Sequence, residues 1–347
     1  MKDGIEMVTR PTIADLAKHA GVSVATVDRV LNRRLPVRSD TVQRVVAAAE
    51  AIGYHATGLL RRRMTETPMR KFGFLLQKRD QFYQEFAKEL VATTKSSTLI
   101  DGKPIVEFMD ELVPSYIAGR ILEMSRRVDG LAVVAMDHPQ INEAIDDAIA
   151  HGKPVFTLLS QTTSTTCTGH LGLDSRKCGR IAGWTISRMA ENPGKIGILV
   201  GSHRYLNQEL SEISFRTYMR EHAPDFHLLE PIVNLDDERI AYEAVTEMVE
   251  TYPDLVAIYV SGGGQGGLIR ALRERTSTNK LIAVCNELTT VNKSALIDGT
   301  IDLALATPIK TLSLRLVELL AKACSVPNAP RQPQIMVPPD IYISENI

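Results

Sequence analysis

Residues 12–32, TIADLAKHAGVSVATVDRVLN, constrain the chain more than any other stretch. Ile13, Leu16 and Ala17 repeat at helical spacing, and Val27, Val30 and Leu31 repeat the pattern. Thr12 is placed to cap the first helix, with Asp15 at its third position where a carboxylate suits the positive helix end. Gly21 interrupts the pattern where a left-handed backbone is needed, and Ser23 is placed to cap a second helix. The apolar positions of the two helices meet across the Ala20-Gly21-Val22 turn, leaving Ser23, Val24, Ala25, Thr26 and Arg29 on the other face. A second helix with an open outer face is what the DNA major groove accepts. The same two helices also suit a plain helical hairpin.

Ser39 is placed to cap a third helix, TVQRVVAAAEAIGY, which ends at Gly53. Three helices within residues 10–57 make a small bundle, followed by a linker over 58–69. The order TIADLAKHAGVS, ATVDRVLN, TVQRVVAAAEAIGY closely resembles the head of the lactose-repressor (LacI/GalR) family. The resemblance implies a helix-turn-helix that binds double-stranded DNA at a palindromic operator. It implies DNA contacts at Thr12, Ser23, Val24, Ala25, Thr26, Arg29, Asn32, Arg38, Tyr54 and Arg63. In the family the linker carries a hinge helix that wedges a leucine into the minor groove. This chain departs there: Thr57 replaces the family's asparagine, and the wedge falls on Arg63, or on Met64 one residue later. An arginine enters a narrow minor groove and a methionine can act as a wedge, whereas a basic flexible linker needs neither.

Charge agrees with such a head. The chain has 40 Lys/Arg and 41 Asp/Glu, yet residues 1–70 hold 12 of the former and 7 of the latter. A basic head on a mildly acidic body suits a polyanion partner. Four scattered cysteines, Cys167, Cys178, Cys285 and Cys324, lack the spacing of a disulfide framework or zinc cluster and suit a reducing cytosol. MKDGIEMVTR has no apolar signal region, and LAVVAM (131–136) is too short to span a bilayer, so a cytoplasmic protein without membrane contact is expected.

From Lys71 strands and helices alternate: strands at 71–77, 104–110, 129–136 and 153–160, separated by helices at 81–94, 114–127 and 141–152. The alternation restarts from 169, with strands at 195–202, 228–233, 254–262, 280–286 and 300–307. This predicts an α/β fold of parallel sheets covered by helices. In this order, after the helical head, it resembles the two-lobed periplasmic-binding-protein-like (type I) effector domain of the same family. The resemblance implies an effector domain over 70–347, with an N-lobe of about 70–168 and 303–332 and a C-lobe of about 169–301 and 334–347. Lobe crossings are expected near 168, 302 and 333.

Ligands of such folds bind at the carboxyl ends of the parallel strands. After the first strand come Asp80, Phe82 and Tyr83, where the family presents polar and aromatic residues; Phe82 equally suits an apolar face shared with Phe86. Asp137 follows the third strand and is placed either to accept ligand hydroxyls or to cap the helix near Gln140. The family's ligand-binding arginine falls on Ser211, leaving Arg204 or His203 to replace it. SGGGQGG (261–267) reads as a phosphate cradle or as a tight turn, with Gly263 and Gln265 facing the cleft by family position. Asn286 and Glu287 stand where the family has an aspartate, and Glu287 could instead cap the helix from Thr289. Thr307 takes the place of a family glutamine.

No nucleophile elbow, paired carboxylates at catalytic spacing or histidine metal cluster is visible, so neither an enzyme nor a metal or cofactor site is expected. The reading is a homodimeric transcriptional repressor gated by a sugar or polyol. The alternative is a cytoplasmic ligand-binding protein, or a regulator answering a nucleobase or phosphorylated signal.

Overall fold

The computed structural model describes residues 11–32, 37, 39–55, 57, 67–77, 80–275, 280–325 and 334–347. Arg38, Arg63 and Met64, and the side chain of Asn32, lie outside the described residues. The chain divides into a helical head and an α/β body.

The head holds α1 (Ile13–Ala20), α2 (Val24–Asn32) and α3 (Ser39–Ala51). Thr12 and Asp15 form a reciprocal cap: the Asp15 N–H donates to Thr12 Oγ1 at 3.3 Å, and the Thr12 N–H donates to Asp15 Oδ2 at 2.9 Å. Gly21 sits at φ 63°, the left-handed conformation that ends α1. The Thr26 N–H donates to Ser23 Oγ at 3.1 Å at the start of α2. Leu16, Ala17, Ala20, Val27, Val30, Val45 and Val46 form the core, with Leu31 packed against it. Ile13, expected on that face, is 36% exposed, because α3 covers α1 from the side of Leu16 and Ala17.

The body begins with β1 (Met69–Leu76), α4 (Gln81–Ser96), β2 (Asp101–Phe108), α5 (Pro114–Ser125), β3 (Gly130–Val133), α6 (Pro139–Ala150), β4 (Val155–Leu158) and β5 (Gly169–Leu173). It continues with α7 (Ser175–Met189), β6 (Lys195–Val200), α8 (Leu206–His222), β7 (His227–Leu228), β8 (Ile232–Val233), α9 (Glu238–Thr251), β9 (Leu255–Ser261), α10 (Gln265–Glu274), β10 (Ile282–Asn286), α11 (Thr290–Ile297) and β11 (Leu303–Ala306). Last come α12 (Ile309–Ser325), β12 (Ile335–Val337) and β13 (Asp340–Tyr342).

Two sheets form the lobes. The first has order β12-β5-β4-β3-β1-β2; the second has order β13-β11-β10-β9-β6-β7, with β8 on β6. Pairing is parallel from β1 through β3, β4 and β5 to β12, and from β6 through β9 and β10 to β11. β13 runs antiparallel to β11.

The sheets move each expected lobe crossing later. β5 stays with β4 in the first sheet, β11 pairs β10 in the second, and β12 returns to the first. The chain therefore crosses at Asp174, at Thr307–Pro308 and at Pro338–Pro339, not near 168, 302 and 333. The cause is local. β4 and β5 are parallel neighbours joined by a loop without a helix, so the break in alternation at 159–168 is not a change of lobe. α12, unassigned by the strand–helix pattern, packs back on α4 and β3 of the first lobe.

Candidate functional site: a cleft between two lobes

The carboxyl ends of β1, β3, β6, β8, β9, β10 and β11 carry the residues between the lobes. Tyr83 marks the centre. Burial holds its phenol well above the usual range, and Tyr205, Asp80, Asp236 and Glu287 raise it further, in that order. Those four groups belong to four different loops, Asp80 on the first lobe and Tyr205, Asp236 and Glu287 on the second.

Glu287 follows β10 in a left-handed conformation, φ 62°, which costs a non-glycine residue on the order of 1–2 kcal/mol. Its carboxylate is tied to the end of β11: the Thr307 N–H donates to Oε2 at 2.9 Å and the Thr307 hydroxyl to Oε1 at 2.6 Å. Burial pushes the Glu287 pKa up to about 7; the Thr307 bonds oppose this and Asp80 adds to it. Glu287 does not cap α11, because Thr289 does so itself by accepting from the Asn292 N–H at 3.2 Å. Beside it, Asn286 has a buried Oδ1 with no hydrogen-bond partner among the described residues.

The glycine loop after β9 is filled from within. The Gly263 N–H donates to Asp236 Oδ1 at 2.5 Å, and Asn234 Nδ2 donates to the Gly263 carbonyl at 2.9 Å. A Cβ on Gly201 would sit 2.0 Å from that same carboxylate oxygen. Gln265 donates to the Gly262 carbonyl at 2.6 Å and to the Asn286 carbonyl at 3.1 Å. The loop is thus a braced turn around a carboxylate, and the phosphate-cradle alternative finds its Gly263 amide already engaged.

The remaining expected residues divide. Asp80 caps α4, accepting from the Tyr83 N–H at 2.9 Å. Phe82 lies between Tyr83, with ring centroids 5.0 Å apart, and the buried Phe86 at 5.9 Å, so it joins cleft and core. Asp137 does not cap α6, which His138 does. Its Oδ1 accepts from the Thr163 N–H at 2.8 Å, the Thr163 hydroxyl at 3.0 Å and Asn142 Nδ2 at 3.0 Å. Arg204 is exposed, and its carbonyl accepts from the Asp137 N–H at 3.1 Å. Ser211 leaves the cleft altogether: it is 4% exposed and bonds the Tyr259 hydroxyl at 2.7 Å inside the second lobe. A helix position chosen by spacing from Phe215 faces the sheet, as Phe215 does.

The sequence reading missed Asp236, Tyr205 and Gln208. Asp236 obeys the rule used for Asp137, an acid just beyond a strand. Its strand is only Ile232–Val233, and Leu235 and Asp236 turn left-handed at φ 55° and 56°. Gln208 accepts from the Ser202 N–H at 2.8 Å, which fixes the loop after β6. Between the lobes, Gln81 of the first and Thr290 of the second exchange two bonds, 2.6 and 3.0 Å.

On the head, Ser23, Val24, Ala25 and Arg29 are exposed along α2, and Val24 is 52% exposed. The Ser23 and Thr26 hydroxyls engage each other at 2.8 Å. Tyr54, expected at DNA, is instead buried in the head core at 5% exposure. Thr57 donates its hydroxyl to the Ala49 carbonyl at 3.1 Å and to the Tyr54 carbonyl, which closes the end of α3.

Residues 79–325 match the model of the periplasmic binding protein domain. The chain belongs to that family. Residues 12–57 match the bacterial regulatory proteins, lacI family, so the head is a lacI-type helix-turn-helix domain. Over 133 residues the chain is 29% identical to the HTH-type transcriptional repressor PurR of Photorhabdus laumondii, covering 37% of each protein. Over 43 residues it is 51% identical to the maltose regulon regulatory protein MalI of Vibrio furnissii, covering 12% of this chain and 31% of MalI. These matches thus span about a third of each relative's length. An ABC transporter solute-binding protein from Burkholderia graminis, in complex with D-arabinose, superposes with a TM-score of 0.73 at 15% identity. That match covers 81% of this chain and 98% of the other, and it shows the fold of the body. No helix among the described residues is long and apolar enough to cross a membrane.

Proposed function

We propose that this protein is a sequence-specific transcriptional regulator, a repressor, that binds a palindromic operator as a homodimer and is gated by a neutral polyhydroxylated ligand in the cleft. The lacI-type head (10–57) reads the major groove with Val24, Ala25 and Arg29, and Ser23 starts the recognition helix. A linker (58–69) joins it to the effector body (70–347). The PurR and MalI similarities support the regulator, and the D-arabinose complex supports the sugar.

The observation that carries the ligand class is the set of acceptors around Tyr83. Asp80, Asp236 and Glu287 bring carboxylates that are partnered within the chain yet keep further lone pairs to accept from a ligand, and Asn286 Oδ1 is buried without a partner among the described residues. Acceptors match ligand hydroxyls, and tyrosine faces stack on sugar rings. A phosphate would face three carboxylates and find the Gly263 amide engaged. The role is binding and release, not catalysis, and it is exercised in the cytoplasm where the DNA lies.

Thermal melting of the full chain with D-arabinose, maltose, myo-inositol and their phosphate esters tests this. A neutral sugar or polyol at a hundredfold excess over its Kd should stabilise by about 2.7 kcal/mol. A response to the phosphate esters alone contradicts the ligand class.

A further inference from the structure

The turn between β6 and α8 belongs to the second lobe by chain, because β6 lies in the seven-stranded sheet and α8 packs over it. Its last residue does not stay there. Tyr205 is 4% exposed, and it is buried in the hydrophobic cluster of the first lobe, which holds Leu75, Met109, Met136 and Ile141. Among the residues of that cluster, Tyr205 alone comes from the other lobe. One residue earlier, the Arg204 carbonyl accepts the Asp137 N–H at 3.1 Å, a main-chain bond between lobes. At a second point the Gln81–Thr290 pair joins α4 to the start of α11.

These contacts differ in kind. The Gln81–Thr290 pair is exposed and competes with water, so its net worth is small. A tyrosine ring seated in an apolar core removes on the order of 150–250 Å² from water, which a single exposed hydrogen-bonded pair does not. The Tyr205 hydroxyl finds no hydrogen-bond partner among the described residues, so the ring and not the hydroxyl holds the contact.

We propose that Tyr205 is a peg by which the second lobe fastens to the first: its ring holds the cleft closed, and opening requires extraction of that ring. The proposal rests on packing in the body and stands whether or not the ligand is a sugar.

Lys88 on α4 and Lys293 on α11 are exposed, one on each lobe. Spin labels on Lys88→Cys and Lys293→Cys in the full chain report the inter-lobe distance without any ligand. The label-bearing protein should give one short distance. Tyr205→Ala should add a longer population that becomes the major one. Tyr205→Phe, which keeps the ring and deletes the unpartnered hydroxyl, should restore the short distance, and Tyr205→Leu should fall between. A ligand-free distribution dominated by the long distance overturns the proposal without any peg variant. A short distance unchanged in both Tyr205→Ala and Tyr205→Leu overturns it too.

Discussion

A buried histidine and a half-buried glutamate give the body opposite pH dependences. His170 joins β5 to β4 through a 2.9 Å bond between its Nδ1 and Thr157 Oγ1, and burial lowers its pKa to about 4. Its folded value lies below its unfolded one, so its contribution is complete above about pH 6.5 and is lost as pH falls through about 4. The size is on the order of 3 kcal/mol, at 1.36 kcal/mol per unit. His170→Gln should flatten the fall in denaturation free energy between pH 6.5 and 4. Glu287 works the other way. Its folded pKa is raised to about 7, so its protonated form is favoured on folding, and that contribution is present below about pH 4.5 and lost as pH rises through 7. Glu287→Gln should therefore gain stability relative to the parent at pH 8 by roughly 1–3 kcal/mol, with no gain at pH 4. An equal effect at both pH values would show that the charge is not responsible. At this scale the sequence showed what is local. Thr12, Asp15, Gly21 and Ser23 each bond a partner within three or four residues in sequence. Thr307 as the partner of Glu287, twenty residues on, was out of reach, because strand pairing sets that contact.

Elements were legible where one periodicity dominates. The βα alternation located the strands that line the cleft, and the apolar spacing located the three helices of the head. The reading lost the lobe of β5 because its link to β4 lacks a helix, and it merged the two short strands β7 and β8 into one over 228–233. The recognition helix yields its own test. Val24 and Ala25 offer only apolar contact, for instance to thymine methyls, while Arg29 is exposed and long enough to reach guanine. Arg29→Ala should lose about 1–3 kcal/mol of discrimination at one base pair, measured across operator variants. A loss of the same size on every sequence would make Arg29 a phosphate contact. Thr12→Ala should destabilise the head by about 1 kcal/mol through the lost cap, seen by thermal melting.

For the whole molecule, the proposed reading has one head gripping one half-site weakly, with two heads on a symmetric dimer multiplying that affinity. Light scattering on the full chain should give twice the 38.3 kDa chain mass at micromolar concentration. The same symmetry decides the most direct measurement. Duplexes selected from a randomised pool by the full chain should converge on a two-fold symmetric site. The chain should bind that duplex about a thousandfold or more tightly than a scrambled one at physiological salt. Equal affinity for the two duplexes would contradict sequence-specific regulation.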